Sequence, residues 1–343
     1  MANHITDILA EWIDRRDETE WVLGTVIEIS GSSYRKPGAM MLINGLGQSF
    51  GLISGGCLES NLSQYASEVM QAKKALTVTY DMSDEDNIAW QLGIGCGGTI
   101  RIQLNLIAKD NRYLRLDDLY KYLKNRNSGF YILPLTNEAE PELIPDQGAS
   151  KPEYKGYSFP DNLEHVAILG DKNNAFLLVP FKPKVHLLLF GGGVDARPVA
   201  NIASELGWDI TLVDHRPSYA REAYFKCVSK IARCLPEELI RQDLIDKIDC
   251  AIIMTHNIDM DANALMVSSR SSARYIALLG PEHRREQVLE KSRIHENDIA
   301  QMLSGPAGLD LGGEVPESIA LSILAECHAA LEGRDARPLR RWG

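Results

Sequence analysis

The sequence predicts an α/β protein with a C-terminal Rossmann-type parallel sheet domain and an N-terminal α+β domain. Three observations carry that expectation. A glycine turn stands between an apolar run and a helical stripe in the stretch Val185–Pro217. Beyond it, further apolar runs of strand length alternate with helical stretches, the mark of a parallel sheet. Ahead of it, short strand-like pieces are separated by glycine turns, as in an antiparallel sheet.

Within Val185–Pro217, the residues Val185, Leu187, Leu188, Leu189 and Phe190 form the continuous apolar run of a strand buried on both faces. Gly191, Gly193 and Ala196 then fit the pattern G-x-G-x-x-G/A. The first glycine permits a tight turn, the second lets backbone approach a pyrophosphate, and the small third residue lets helix pack on strand. Ala200, Ile202, Ala203 and Leu206 give the helical stripe, which Gly207 ends. The N-terminus of that helix would offer free amides to an anion. Ile210, Leu212 and Val213 open the next strand, and Asp214 follows about 20 residues beyond the first glycine, where an acid can accept hydrogen bonds from a ribose or another polyol. The pattern defines a fold. It does not by itself make NAD the ligand, since one fold hosts many functions.

The 343 residues suffice for two domains, each with its own core. With 36 basic against 47 acidic residues the net charge is −11, so no basic field exists to attract nucleic acid or an acidic membrane. No apolar run approaches the ~18 residues of a membrane-spanning helix. The opening MANHITDILAEW lacks the basic and apolar regions of a signal peptide. Six cysteines without an export signal point to free thiols in a reducing cytoplasm. No C-x-x-C or H-x-x-x-H spacing marks a zinc site.

Taken in order, Ile5, Ile8, Leu9, Trp12 and Ile13 predict an amphipathic helix over 4–16. Strands are expected at 21–30, 39–43 and 49–54, the last two joined by a hairpin at NGLG. Between the first two lies the polar loop Gly31–Gly38. Ser54-Gly-Gly-Cys-Leu-Glu59 joins a strand to a helix with the stripe Leu58, Leu62, Tyr65, Val69 and Met70. Cys57 thus stands at or just before a helix N-terminus, where the dipole favours a thiolate and Gly55 and Gly56 leave the sulfur accessible. The plain alternative is a small buried cysteine packing like alanine. A second glycine–cysteine loop, Gly93–Gly98 around Cys96, leads into a strand at 99–107. The other four cysteines sit in apolar or helical contexts and read as structural.

Residues 110–183 read as a connecting subdomain, with a helix at 116–123 and strands near 129–134, 164–169 and 176–181. Lys182-Pro-Lys184 is the expected hinge, so the domains divide as 1–109, 110–183 and 184–343. In the last, a buried strand at 248–256 ends in Thr255 and His256, with Asp259 and Asp261 beyond it. His256 would be a ligand or proton-transfer group, or a loop histidine tying down backbone. A strand at 274–280 follows, then the helix start HRREQ, a glycine-rich loop from 304 and a final helix with Pro316 and Glu317 in its first turn.

In this order GSSYRKPGAMML, SGGCLE, GCGG, LLLFGGGVDARPVA, LVDHRP, MTHN and PAGLDLGGEVPESIALSILAE resemble the XdhC/CoxI family, accessory proteins of xanthine dehydrogenase and related molybdenum hydroxylases. The likeness spans roughly 8–108 and 185–327 and leaves the middle uncovered. It implies a protein that binds molybdenum cofactor (molybdopterin) and hands it, in sulfurated form, to a client such as xanthine dehydrogenase, with a cysteine desulfurase as a further partner. A non-catalytic chaperone is implied, and any xanthine dehydrogenase label would follow by association. No cysteine cluster of ferredoxin spacing is present.

Carried over residue by residue, the resemblance makes Cys57 the candidate sulfur or metal contact, with Gly55, Gly56 and Glu59 beside it. Cys96 matches the second cysteine. Gly191, Gly192, Gly193 and Asp195 match the turn, Asp214 the strand-end acid and His256 the histidine of MTHN. Val194 stands where the family turn has histidine, and Met40 where arginine is frequent. The cofactor's phosphate, or a nucleotide, would suit the glycine turn, and release of cargo calls for an open cleft between the domains. An NAD(P)-dependent oxidoreductase and a nucleotide-sensing regulatory module stay open as alternatives, as does a homodimer.

Overall fold

The apolar runs become strands and the striped stretches become helices in the computed structural model, which describes residues 3–31, 34–56, 58–81, 98–135, 140–146, 153–159, 166–171, 174–241 and 245–339. Cys57 and Cys96 lie outside the described residues. The chain divides into two units, Met1–Pro183 and Lys184–Gly343.

The first unit runs α1 (Ile5–Ile13), β1 (Trp21–Ser30), β2 (Met40–Asn44), β3 (Ser49–Gly51), α2 (Glu59–Ala72), β4 (Leu76–Asp81), β5 (Thr99–Ile107), α3 (Leu116–Lys124), β6 (Gly129–Pro134), β7 (Glu142–Pro145), β8 (Glu153–Tyr154), β9 (Tyr157–Ser158), β10 (Ala167–Leu169) and β11 (Phe176–Phe181). Five strands form an antiparallel sheet in the order β3-β2-β1-β5-β4, and four more the order β10-β11-β6-β7. β1 is central and buried on both faces, so its alternate residues feed two cores. Val22 and Val26 pack with Leu62, Ala66 and Val69 of α2. Trp21 and Leu23 pack with Leu9 and Trp12 of α1 and Leu119 of α3.

The span expected as a separate subdomain belongs to this second core. Tyr131, Leu133, Leu177 and Phe181 share a cluster with Trp12 and Leu23, and the Tyr131 hydroxyl donates to the Leu114 carbonyl at 2.8 Å. Hydrophobic burial on one face of β6 and β11 thus ties these strands to the core of α1, β1 and α3.

The second unit runs β12 (His186–Phe190), α4 (Ala196–Glu205), β13 (Asp209–Val213), β14 (Lys230–Ala232), β15 (Cys250–Ile253), α5 (Ile258–Ser269), β16 (Tyr275–Leu278), α6 (Glu282–Ser292), β17 (Met302–Ser304) and α7 (Pro316–Leu331). All six strands are parallel, in the order β14-β13-β12-β15-β16-β17. Counted within the unit this is 3-2-1-4-5-6, the doubly wound arrangement. Leu187, Leu189, Ile210 and Ile252 face α4 and α7, while Leu188, Phe190, Ala251 and Ile253 face α5 and α6. The parallel-sheet expectation holds for the second unit and the α+β expectation for the first.

One helical stripe differs from its sequence reading. The buried face of α4 is Ala196, Val199, Ala200 and Ala203, and Leu206 is exposed. The i, i+3, i+4, i+7 spacing is met by small residues, which bring the helix close to the sheet.

Candidate functional site

The strand order fixes where a ligand can enter the second unit. The chain leaves β12 toward β13 on one side, while β15 flanks β12 on the other, so the loops after β12, β13 and β15 surround a crevice at the carboxyl ends of the strands. Residues 191–195, 214–221 and 254–257 lie in those loops.

Gly191 has φ +103°, and a Cβ there would fall 2.5 Å from the Met254 carbonyl oxygen. The close approach follows from the sheet, since the Met254 amide donates to the Phe190 carbonyl at 2.9 Å. The Gly192 amide donates to Asp214 Oδ2 at 2.7 Å. A Cβ on Gly193 would land on Asp195 Oδ1. All three of the turn's glycines therefore sit against the chain's own backbone or carboxylates.

Asp214 is where the sequence reading puts the strand-end acid, but its partners are internal. Oδ1 accepts from the Arg216 amide and Nε, each at 2.9 Å, and Oδ2 from Arg216 Nη2 at 2.7 Å. Burial pushes this carboxyl's pKa up, yet hydrogen bonds from Arg216 and Gly192 outweigh it and hold the group below its ordinary value. The Arg216 guanidinium lies over the Tyr219 ring, 3.9 Å from its centroid.

On the other side of the crevice, His256 has φ +62°, a backbone region that costs a non-glycine residue energy and recurs at functional sites. Its Nε2 meets Asp195 Oδ2 at 2.6 Å, with the imidazole 61% exposed. His256 and Asp195 come from different loops, and the structure brings them together as a dyad. The loop carrying His256 is held from below. Asp261 accepts from the Thr255 amide at 3.1 Å and hydroxyl at 2.5 Å, and pairs with Arg284 at 2.6 Å. Asn257 caps α5 by accepting from the Met260 amide at 3.1 Å.

A cavity of about 140 Å³ opens at the ends of β13 and β15 between Asp214, Arg216, Pro236, Thr255 and Met260. Cys234 also borders it, its thiol pKa pushed up by burial first and by nearby acids second. Cys250 and Cys327 are fully buried among the apolar side chains between the sheet and α4 and α7.

In the first unit, Glu59 is buried and both oxygens of its carboxylate accept hydrogen bonds. Oε1 accepts from the amides of Ile53 at 3.2 Å and Ser54 at 2.8 Å, and Oε2 from the Ser54 hydroxyl at 2.5 Å. Ser54 Oγ in turn accepts from Gly56 and Leu58 amides at 3.2 and 3.0 Å. Burial raises the Glu59 pKa, but the donors from Ser54 and Ile53 prevail and lower it. The resemblance puts Glu59 beside Cys57 as a chemical partner; its geometry is that of a clamp holding both ends of the loop that bears Cys57. Gly55 and Gly56 are exposed.

Sequence reasoning does not single out Arg216, Asp261 or Arg284. Arg216 had a signal, lying two residues beyond the strand-end acid in LVDHRP. Asp261 stands with Asp259 beyond His256 and Arg284 lies in the basic helix start HRREQ, but nothing in the sequence marks them as partners, because their pairing joins two helices. Among the described residues no group of three or more His, Cys, Asp or Glu is placed to hold a metal ion, and no helix is long and apolar enough to cross a membrane.

The fold and crevice define a Rossmann-type protein carrying an additional, largely antiparallel unit. The chain belongs to the XdhC and CoxI family: the model described by that name matches residues 14–81, and the one described as the XdhC Rossmann domain matches 187–327. It is 29% identical over 316 residues to a protein of Bacillus subtilis (strain 168) called a probable xanthine dehydrogenase subunit, covering 90% of this chain and 93% of that one. It is 22% identical over 309 residues to the molybdenum cofactor insertion chaperone PaoD of Escherichia coli (strain K12), covering 89% and 81%. The solved structure of a Bacillus halodurans protein described as a xanthine dehydrogenase matches with a TM-score of 0.78 and 29% identity, over 98% of both chains.

Proposed function

We propose that this chain is a cytoplasmic accessory protein that binds sulfurated molybdenum cofactor and delivers it to a xanthine dehydrogenase-type molybdenum hydroxylase, with a cysteine desulfurase as a second partner. The observation that supports this most is the likeness over most of its length to a relative named as a molybdenum cofactor insertion chaperone. Soft thiolate sulfur suits molybdenum or a persulfide, so Cys57 is the proposed contact, on a loop whose ends Ser54 and Glu59 hold. In the second unit, Arg216 and the amides from Gly193 onward would receive a phosphate. The chemistry that bound cofactor brings is that of its molybdenum and sulfur. The chain's own part is to hold, shield and release it.

The test is direct. Full-length protein is made in a molybdopterin-producing host, and bound small molecules are extracted and identified by mass and fluorescence. Molybdopterin is expected in the wild type and at several-fold lower occupancy in Cys57→Ala. An extract without it overturns the proposal, and equal occupancy in the variant removes Cys57 from it.

A second reading, an NAD(P)-dependent oxidoreductase, draws on the His256–Asp195 dyad at the crevice, since a carboxylate-held imidazole can transfer a proton to a bound substrate. Titration of the protein with NAD(H) to millimolar concentration without binding would end that reading.

A further inference from the structure

In this fold the acid at the end of the second strand receives ribose hydroxyls from a dinucleotide. An ionised carboxylate offers about four acceptor sites. At Asp214 these are met by the amides of Gly192 and Arg216 and by Arg216 Nε and Nη2. The side chain is 2% exposed. A ribose diol arriving here finds no acceptor unless a bidentate ion pair first breaks.

What the crevice presents instead is a cation. A guanidinium carries five N–H donors, and Asp214 engages Arg216 through the Nε–Nη2 edge, leaving the Nη1 edge. The Arg216 side chain is 35% exposed, and stacking on Tyr219 holds its plane. It borders the cavity together with His215, Val213, Pro236 and Met260, whose described lining includes no acid besides the paired Asp214. A planar fork held in place beside a pocket that also offers Thr255, Asn257 and His215 is suited to phosphate.

We infer that this cavity receives a phosphate monoester read by Arg216, carried either by a phosphorylated ribose, which the second unit would then prefer to one with a free diol, or by a phosphate-terminated pterin. The inference rests on the reading of the crevice as a phosphate-receiving site and names the group it selects. A 2′-phosphorylated adenine dinucleotide and a pterin ending in phosphate both carry such a group, and separate probes distinguish them.

The experiment is isothermal titration of the full chain with NADP⁺, NAD⁺, molybdopterin and inorganic phosphate. NADP⁺ is expected to bind at least ~10-fold more tightly than NAD⁺, the scale of one charged hydrogen-bonding contact. Arg216→Gln should erase that preference by weakening NADP⁺, while NAD⁺ binds as well as before or more tightly because the variant frees acceptor sites on Asp214, with thermal melting confirming the fold. Should Arg216→Gln not fold, Arg216→Lys keeps the charge, loses the fork and should narrow the preference. Binding of molybdopterin that Arg216→Gln or Arg216→Lys weakens, without NADP⁺ selectivity, supports the monoester site with a pterin source. Equal binding of NADP⁺ and NAD⁺ with no Arg216-dependent molybdopterin binding overturns the inference, as does equal weakening of NADP⁺ and NAD⁺ by the variant. Cofactor occupancy in Cys57→Ala is a separate measurement, so the delivery reading and this one fail independently.

Discussion

The two units solve one problem in different ways. Each has a glycine loop between a strand and a helix, and each anchors it with a buried carboxylate that accepts backbone amides. Glu59 accepts from Ile53 and Ser54, with no cation on it among the described residues. Asp214 accepts from Gly192 and also binds Arg216 bidentately. Around Glu59 the glycines stand open, with nothing within 4 Å of a Cβ on Gly55. Around Asp214 they are pressed against neighbouring backbone. The first loop is clamped at its ends and open in the middle, which suits presenting a side chain. The second is packed throughout, which suits presenting a fixed electrostatic surface.

Removing the anchors should separate the two designs most strongly. Asp214→Ala leaves a half-buried guanidinium and the Gly192 amide without their acceptor, and is expected to cost about 3 kcal/mol. Glu59→Ala orphans buried amides but no charge, and should cost about 2 kcal/mol. Urea unfolding followed by probes in each unit should show each variant shifting its own unit's transition. If Glu59→Ala proves the more damaging, the ion pair is not what distinguishes the loops.

The glycines sharpen the contrast at a smaller scale. Gly191→Ala combines a positive φ with a Cβ on the Met254 carbonyl, and should destabilise by about 2 kcal/mol. Gly55→Ala meets open space and should stay within about 0.5 kcal/mol of wild type. A melting shift of similar size for both would mean that the first loop is packed by contacts outside the described residues.

How much of this could be read in the sequence divides along similar lines. The parallel sheet was legible because strands buried on both faces are continuous apolar runs, as in Leu187–Phe190, and because Gly191 and Gly193 punctuate them. β4 carries the alternation of a half-buried strand, Val78 and Tyr80 inward and Thr77 and Thr79 outward, but no continuous apolar run or glycine turn sets it off from the helix before it. β17 is three residues long, too short for any period. At the sites, the identity of Glu59 and Asp214 was visible but their work was not. Their partners are main-chain amides and a near neighbour, which come within reach only after the chain reverses. The His256–Asp195 dyad was likewise hidden, since the two residues meet only because β12 and β15 are adjacent.

Acid titration gives the finest test of the comparison. Both carboxyls have folded pKa values below their ordinary ones, 4.5 for Glu59 and 3.8 for Asp214. A lowered folded pKa means that the native state favours the ionised form, so each group's contribution is complete above its ordinary value. It is lost as pH falls through the lowered folded value. The stability gap between wild type and Glu59→Gln should therefore be flat at neutral pH and begin to close as pH drops below 4.5. The gap for Asp214→Asn should hold to lower pH and begin to close only below 3.8. Unfolding curves of the three proteins at closely spaced pH values check this order. Simultaneous closure of the two gaps would show that the loops answer to a shared acid transition and not to their own anchors.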